Sequence, residues 1–94
     1  MLKVNYSSLA NNSLSKVADY LEDMNTAGSG ERWLIKFHNK IKKYAQPIKY
    51  AICRHKVYAR NGYSCVAIDS WIIVFKVDKE QFNVYQIVLA SSLY

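Results

Sequence analysis

The segment of residues 71–77 constrains the fold more than any other part of the chain, because it is apolar at every position except Lys76. A short run that is apolar on both sides is typical of a central β-strand. Residues 62–69 and 82–89 on either side also have strand-like patterns. Short polar turns separate the three segments, so the sequence predicts an antiparallel meander.

The first half of the chain predicts one strand and two helices. Leu2, Val4 and Tyr6 alternate with polar residues, which indicates a strand, and Ser7 or Ser8 can cap the helix that follows. Apolar residues at helical spacing predict helices over residues 9–24 and 31–45, the second ended by Pro47. The two stripes are Leu14, Val17, Ala18, Leu21 and Met24, then Leu34, Phe37, Ile41, Tyr44 and Ala45.

The predicted fold is therefore one α+β domain, residues 1–94, in the order β-α-α-β-β-β. The sheet is expected to be antiparallel, with a helical hairpin on one face. Two helices cover only one face, so we expect apolar sheet surface to be exposed on the other, as at a protein interface. The alternative is that the chain termini or residues 46–61 fold over that face. The length of this last segment indicates a functional role or a hidden strand or helical turn.

The formal net charge is +6, and its distribution along the chain is uneven. Every charged residue from Arg32 to Arg60 is basic, which favours polyanions or acidic proteins as partners. Lys36, Lys40 and Lys43 share one side of the second predicted helix. They form either a solubilising face or a patch for an acidic partner.

The expected compartment is the cytoplasm. The sequence contains neither a signal-peptide pattern nor the ~20 consecutive apolar residues of a membrane span. Cys53 and Cys65 are the only cysteines. We expect them to be free thiols in a reducing environment.

The motifs of several enzyme classes are missing from the sequence. It has neither a glycine-rich phosphate loop nor an HExxH motif, and we expect no cofactor and no metal. Cys53, His55 and Cys65 match no standard zinc spacing. A Cys53–His55 nucleophile pair would lack an acid to orient the histidine. His38 is expected to be a surface or edge histidine.

A basic and aromatic cluster in the middle of the chain is the remaining candidate site. It consists of Arg54, His55, Lys56 and Arg60 with Tyr50, Tyr58 and Tyr63. Basic groups neutralise phosphates and aromatic faces stack on bases, so the cluster suits nucleic acid or another macromolecule. The alternative is a solvated loop whose tyrosines belong to the core.

The order β-α-α-β-β-β in so short a chain resembles the RelE/ParE superfamily of toxins from bacterial toxin–antitoxin modules. Four stretches carry the resemblance across nearly the whole chain. They are Tyr6-Ser7 before a helix with Asp19-Tyr20-Leu21, Arg32-Trp33-Leu34 with the later Ile41, residues 71–78, and residues 84–89.

The departures from that pattern favour the ParE-type branch. RelE-type toxins cut messenger RNA on the ribosome with clustered basic side chains and a late tyrosine or histidine, which supply charge stabilisation and proton transfer. In this chain Ser64 stands where an arginine is common, and residues 89–94 offer only Tyr94. ParE-type toxins instead inhibit DNA gyrase by binding.

The resemblance therefore implies a plasmid-stabilisation toxin of ParE type, and it favours a binding role over an enzymatic one. It would bind a target such as gyrase and be neutralised by a cognate antitoxin that lays an acidic segment over it. The alternatives are a RelE-type ribosome-dependent mRNA endonuclease, an inactive homologue and a small nucleic-acid-binding module. The sequence leaves open whether the chain forms a homodimer. Candidates for target binding are Arg54, His55, Lys56, Arg60, Tyr63 and Tyr94, and for antitoxin binding Lys36, Lys40 and Lys43.

Overall fold

A computed structural model describes residues 2–93, and the side chains of residues 2–91. The protein is a small α+β domain, as predicted. Its elements are β1 (Lys3–Tyr6), α1 (Ser8–Met24), α2 (Ser29–Lys42), α3 (Lys56–Arg60), β2 (Ser64–Ile68), β3 (Trp71–Asp78), β4 (Gln81–Leu89) and α4 (Ala90–Leu93). Within this described part, none of the helices has both the length and the apolar character needed to cross a membrane.

The four strands form one mixed sheet in the order β1-β4-β3-β2. The predicted antiparallel meander of β2, β3 and β4 is confirmed. The prediction of a fully antiparallel sheet was wrong, because β1 runs parallel to β4. The helical hairpin returns the chain to the end of the sheet where β1 begins, since the Leu2 N–H donates to the Ala45 carbonyl at 2.8 Å. Strand β2 starts from that same end. Because β3 runs antiparallel to β2, and β4 runs antiparallel to β3, β4 runs in the same direction as β1.

Side-chain hydrogen bonds cap the start of each helix of the hairpin. The Ser7 hydroxyl accepts a hydrogen bond from the Ala10 N–H at 3.0 Å, which is the predicted N-cap. The Glu22 carboxylate accepts bonds from the Gly28 and Gly30 N–H groups at 2.6 and 3.0 Å, and so caps the start of α2. Gly28 has φ +88°, a conformation that side chains rarely adopt. Helix α2 ends at Lys42, three residues before the predicted end, because a tight turn follows.

The core lies between the hairpin and one face of the sheet. Its largest fully buried side chains are Phe37, Phe75, Phe82, Ile41, Ile73, Val74 and Val84, and all but Val74 belong to this layer. The predicted apolar stripes supply most of the helical contribution. Met24 is an exception: it is 65% exposed, because it is the last residue of α1.

The second face of the sheet is largely covered, so the expectation of an exposed apolar face was wrong. Ile72, Val74 and Cys53 form a second buried cluster, against which Tyr58, Tyr63 and Ala90 pack. The cover comes from the segment between α2 and β2, which contains the hidden helical turn α3, and from the start of α4. The alternative, that this segment and the C-terminal residues fold over the sheet, was therefore the correct one.

Cys53 and Cys65 form a disulfide, so the expectation of free thiols was also wrong. The covering segment runs beside the edge strand β2. Ile52 forms a single β-bridge with Ser64, and the Cys53 N–H donates to the Tyr63 carbonyl at 2.9 Å. This pairing brings the two Cα atoms within 4.9 Å, a separation typical of disulfides.

Candidate functional site

The part of the second face that the covering segment leaves open forms a cleft of about 540 Å³. We call it the tyrosine cleft. Its lining includes Asn5 from β1, Asn83 and Tyr85 from β4, Lys76 and Asp78 from β3, and Tyr63 before β2. Residues from three strands and one loop therefore meet in one depression on the side of the sheet opposite the hairpin.

A β-bulge in β4 places Tyr85 in the cleft. Val74 pairs with Gln86 and Phe75 pairs with Val84, which leaves Tyr85 as an extra residue. The Ser7 hydroxyl, which also caps α1, donates to the Tyr85 carbonyl and holds the bulge in place. The bulge thereby turns two consecutive side chains, Tyr85 and Gln86, towards the second face.

Stacked and edge-on tyrosines form the wall of the tyrosine cleft. The Tyr63 ring stacks on Tyr85, with centroids 4.7 Å apart and planes 19° apart. The Tyr58 ring meets both of them edge-on at 6.5 Å, and its hydroxyl donates to Gln86 Oε1 at 3.3 Å. Burial, with a smaller contribution from Tyr85, raises the pKa of Tyr58. The three rings are amphipathic, with an apolar face and a polar hydroxyl, which suits a binding surface.

Lys76, Asp78 and an amide pair supply polar groups to the cleft. The Lys76 ammonium lies 4.5 Å from the Tyr63 ring centroid, within the range of a cation–π contact. Asn5 Nδ2 donates to Asn83 Oδ1 at 3.1 Å across the parallel β1–β4 pair. The cleft therefore combines one positive and one negative charge, amides and aromatic faces, a combination suited to binding a macromolecular surface.

The structure brings only some of the predicted target-binding residues together. Tyr63 lines the cleft, and the His55 ring lies 5.2 Å from Tyr58, which connects it to the same aromatic group. Arg54, Lys56 and Arg60 are exposed and lie outside the lining of the cleft. Tyr94 lies outside the described residues.

The predicted antitoxin-binding lysines lie on the opposite side of the molecule, on or just after α2. Lys36, Lys40 and Lys43 are all exposed, as the spacing predicts. The Lys40 ammonium lies 2.8 Å from Asp69 Oδ2, so a carboxylate already offsets part of its charge. Lys36 shares a shallow depression with Arg32 and Trp33.

The disulfide changes the chemistry available to the cysteines. Because both sulfur atoms are bonded to each other, Cys53 is not a nucleophile beside His55 in this state, and neither cysteine is a zinc thiolate. Over residues 2–93, no three histidine, cysteine, aspartate or glutamate side chains gather as a metal site would require.

His38 is more integrated into the fold than the sequence suggested. It is half-buried, and a 2.6 Å hydrogen bond between the Tyr6 hydroxyl and its Nδ1 joins α2 to β1. Burial raises the pKa of Tyr6 to about 12. Burial and the nearby Lys42 charge lower the pKa of His38. The pair is therefore neutral at physiological pH and acts as a structural link.

The sequence interpretation missed Lys76, Tyr85, Asn5 and Asn83. One signal for Tyr85 was present in the spacing of the apolar residues of β4 that are buried. Phe82 and Val84 are two positions apart, but Val84 and Ile87 are three apart, which breaks the alternation of a regular strand.

Compared with known protein families and with curated proteins, the chain matches none of them.

Proposed function

We propose that this chain is the toxin-like component of a bacterial type II toxin–antitoxin module, in the RelE/ParE superfamily and closer to the ParE type. It acts in the cytoplasm by binding a macromolecular target such as DNA gyrase, and a cognate antitoxin neutralises it. The resemblance is supported by where its segments lie: residues 71–78 and 84–89 form the two central strands, and Arg32-Trp33-Leu34 lies in the first turns of α2.

The tyrosine cleft is the observation that carries the proposal. It combines stacked tyrosines, an exposed lysine and amides on the face opposite the hairpin, where a partner can reach them. Tyrosine rings supply contact area at a low entropic cost and are enriched at interfaces. The cationic side of α2 is a separate surface, so the molecule offers one face to a target and another to an acidic antitoxin.

The composition of the cleft favours binding over RNA cleavage. Cleavage needs a proton acceptor and concentrated positive charge at the scissile phosphate. The described lining residues supply one cation, Lys76, together with the carboxylate of Asp78, so positive charge is not concentrated there. The basic residues that a RelE-type mechanism would use, Arg54, Lys56 and Arg60, lie outside the cleft.

Inducible expression in bacterial cells tests the proposal. Expression should arrest growth, and the purified protein should inhibit supercoiling by gyrase while translation and messenger RNA stay intact. Lys76→Gln should weaken this inhibition roughly tenfold, which is the effect of losing an interface contact worth about 1.4 kcal/mol. Lys16→Gln is the matched control, because it removes the same charge from an exposed position on α1.

Three outcomes would overturn the proposal or its ParE-type assignment. Normal growth with abundant folded protein would remove the toxin function. Ribosome-dependent RNA cleavage that is lost in Arg60→Ala would favour the RelE-type alternative. Equal effects of Lys76→Gln and Lys16→Gln would show that the tyrosine cleft is not the target-binding surface.

A further inference from the structure

The Cys53–Cys65 disulfide is the only covalent link between the covering segment and the sheet, apart from the chain itself, in the described residues. Cys53 belongs to the buried cluster that the segment forms over Ile72 and Val74, and it is only 5% exposed. Cys65 lies on the edge strand β2 and is half-buried. The bond therefore holds residues 51–63 against the second face of the sheet.

We propose that the Cys53–Cys65 bond is a reversible thiol–disulfide exchange site, which a dithiol opens, and that its redox state controls how firmly residues 51–63 cover the second face. The inference does not depend on the toxin-like function. It rests on access to the sulfur atoms and on the weakness of the other contacts that hold the segment.

The surface above the bond gives a thiol room to approach. A shallow cleft of about 360 Å³ opens beside it, lined by both cysteines, Ala51, Ala67 and Arg54. The two alanines leave space that longer side chains would fill. Arg54, next to Cys53 in the chain, lines the same cleft, and a positive charge there favours the thiolate form of a departing cysteine.

The exchange runs in two balanced steps. A dithiol thiolate attacks Sγ of Cys65, the more exposed of the two residues, the S–S bond breaks, and Cys53 leaves as a thiolate and takes up a proton. The second thiol of the reductant then attacks the mixed disulfide and releases Cys65, which is also protonated. The protein gains two electrons and two protons, and the dithiol is oxidised to its own disulfide.

The remaining contacts of the segment are weak, so the covalent bond matters. Helix α3 has five residues and its N-cap residue, His55, makes no side-chain capping bond. A helix this short is not stable alone. After reduction the segment is held by the Ile52–Ser64 bridge, the 3.3 Å hydrogen bond from Tyr58 to Gln86, and the packing of its side chains over Ile72 and Val74. Opening the bond should therefore loosen the cover and expose Ile72 and Val74, while the hairpin side of the sheet keeps its own core.

Hydrogen exchange on the purified full-length chain tests the inference. Treatment with dithiothreitol, or with thioredoxin and its reductase, should free two alkylatable thiols under native conditions. Amide protection in residues 51–63 should then fall by at least about tenfold, because a disulfide that closes a loop of this length restrains the open ensemble by more than that. Protection in α1, α2 and β3 should stay unchanged, and reoxidation should restore the original pattern.

The Cys53→Ser/Cys65→Ser double variant is the matched control. It should show the loosened exchange pattern at once and should not respond to either reductant. If this variant fails to fold, reduction and reoxidation of the natural chain, followed by near-ultraviolet circular dichroism, still provide the test. A thioredoxin effect without a dithiothreitol effect would show that protein recognition is needed, contrary to the open access proposed here.

Three further results would overturn the inference. If the bond resists both reductants while the protein stays folded, it is a permanent structural disulfide. Protection could be unchanged in residues 51–63 after reduction, which would show that the bond is not a clamp. Protection could instead fall equally throughout the domain, which would show that the bond stabilises the whole fold. None of these results bears on growth arrest or on gyrase, so the proposed function is judged separately.

Discussion

Gly30 gives the sharpest test of the hairpin, because a methyl group at this position has no room. A Cβ atom there would lie 2.4 Å from the carbonyl oxygen of Ala18 and 3.0 Å from its carbonyl carbon. Both atoms belong to the backbone of α1, so no side chain can move aside and the two helices would have to separate. Gly30→Ala would gain up to about 1 kcal/mol from better helix propensity. Overpacking costs typically about 1–3 kcal/mol, and contact with backbone places this case at the upper end.

The net expectation for Gly30→Ala is a loss of about 2 kcal/mol in the free energy of unfolding. For a domain of this size the melting temperature should fall by roughly 8–16 °C. Differential scanning calorimetry measures this, with Asn39→Ala as the control, because it places alanine at an exposed position of the same helix. A melting temperature for Gly30→Ala equal to or above that of the natural chain would refute the close approach of α1 and α2.

Two further predictions concern groups that titrate. The bonds from the Gly28 and Gly30 N–H groups lower the pKa of Glu22, so its contribution to stability is present at neutral pH and is lost as the pH falls through the lowered folded-state value. Glu22→Gln should therefore flatten the acid part of the stability–pH curve measured by urea unfolding, and an unchanged curve would exclude this cap. Burial lowers the pKa of His38, so its contribution is present above the ordinary histidine value and is lost as the pH falls through the lowered one. With the Tyr6 hydroxyl as the donor to Nδ1, Tyr6→Phe removes a bond to the neutral imidazole and should raise the pKa of His38 in an NMR titration, whereas an unmoved or lowered pKa would exclude that donor role.

Local pattern was enough to predict the four strands and the two long helices. The predicted order was incomplete, because it lacked the short helices α3 and α4, and the pattern did not give all the strand directions. The alternation of Leu2, Val4 and Tyr6 reports which side of β1 faces the core, and all three do pack there. It carries no information on whether β1 runs parallel or antiparallel to its neighbour. That choice depends on where the hairpin returns the chain, which the Leu2–Ala45 hydrogen bond determines. Contacts of this kind are invisible to periodicity.

The candidate site was harder to predict than the fold, because it depends on the pairing of residues far apart in sequence. Tyr63 was found from composition, but its stacking partner Tyr85 enters the cleft only through the bulge in β4. Lys76 looked like a single interruption in an apolar strand, although its ammonium lies over the Tyr63 ring. The disulfide was missed for a similar reason: it follows from the pairing of Ile52 with Ser64 at the sheet edge, which the sequence does not display.

The tyrosine cleft and the disulfide are connected through one residue. The Tyr63 ring stacks on Tyr85 in the cleft, and the Tyr63 carbonyl accepts the hydrogen bond from Cys53 that aligns the disulfide. The Tyr63 ring also packs edge-on with the Tyr58 ring of α3. A change that frees residues 51–63 from β2 therefore acts on the same side chain that shapes the wall of the cleft. Because these contacts share Tyr63, binding at the cleft and the redox state of the cysteines cannot be independent if both proposals hold, and reduced and oxidised protein should differ in affinity for the target.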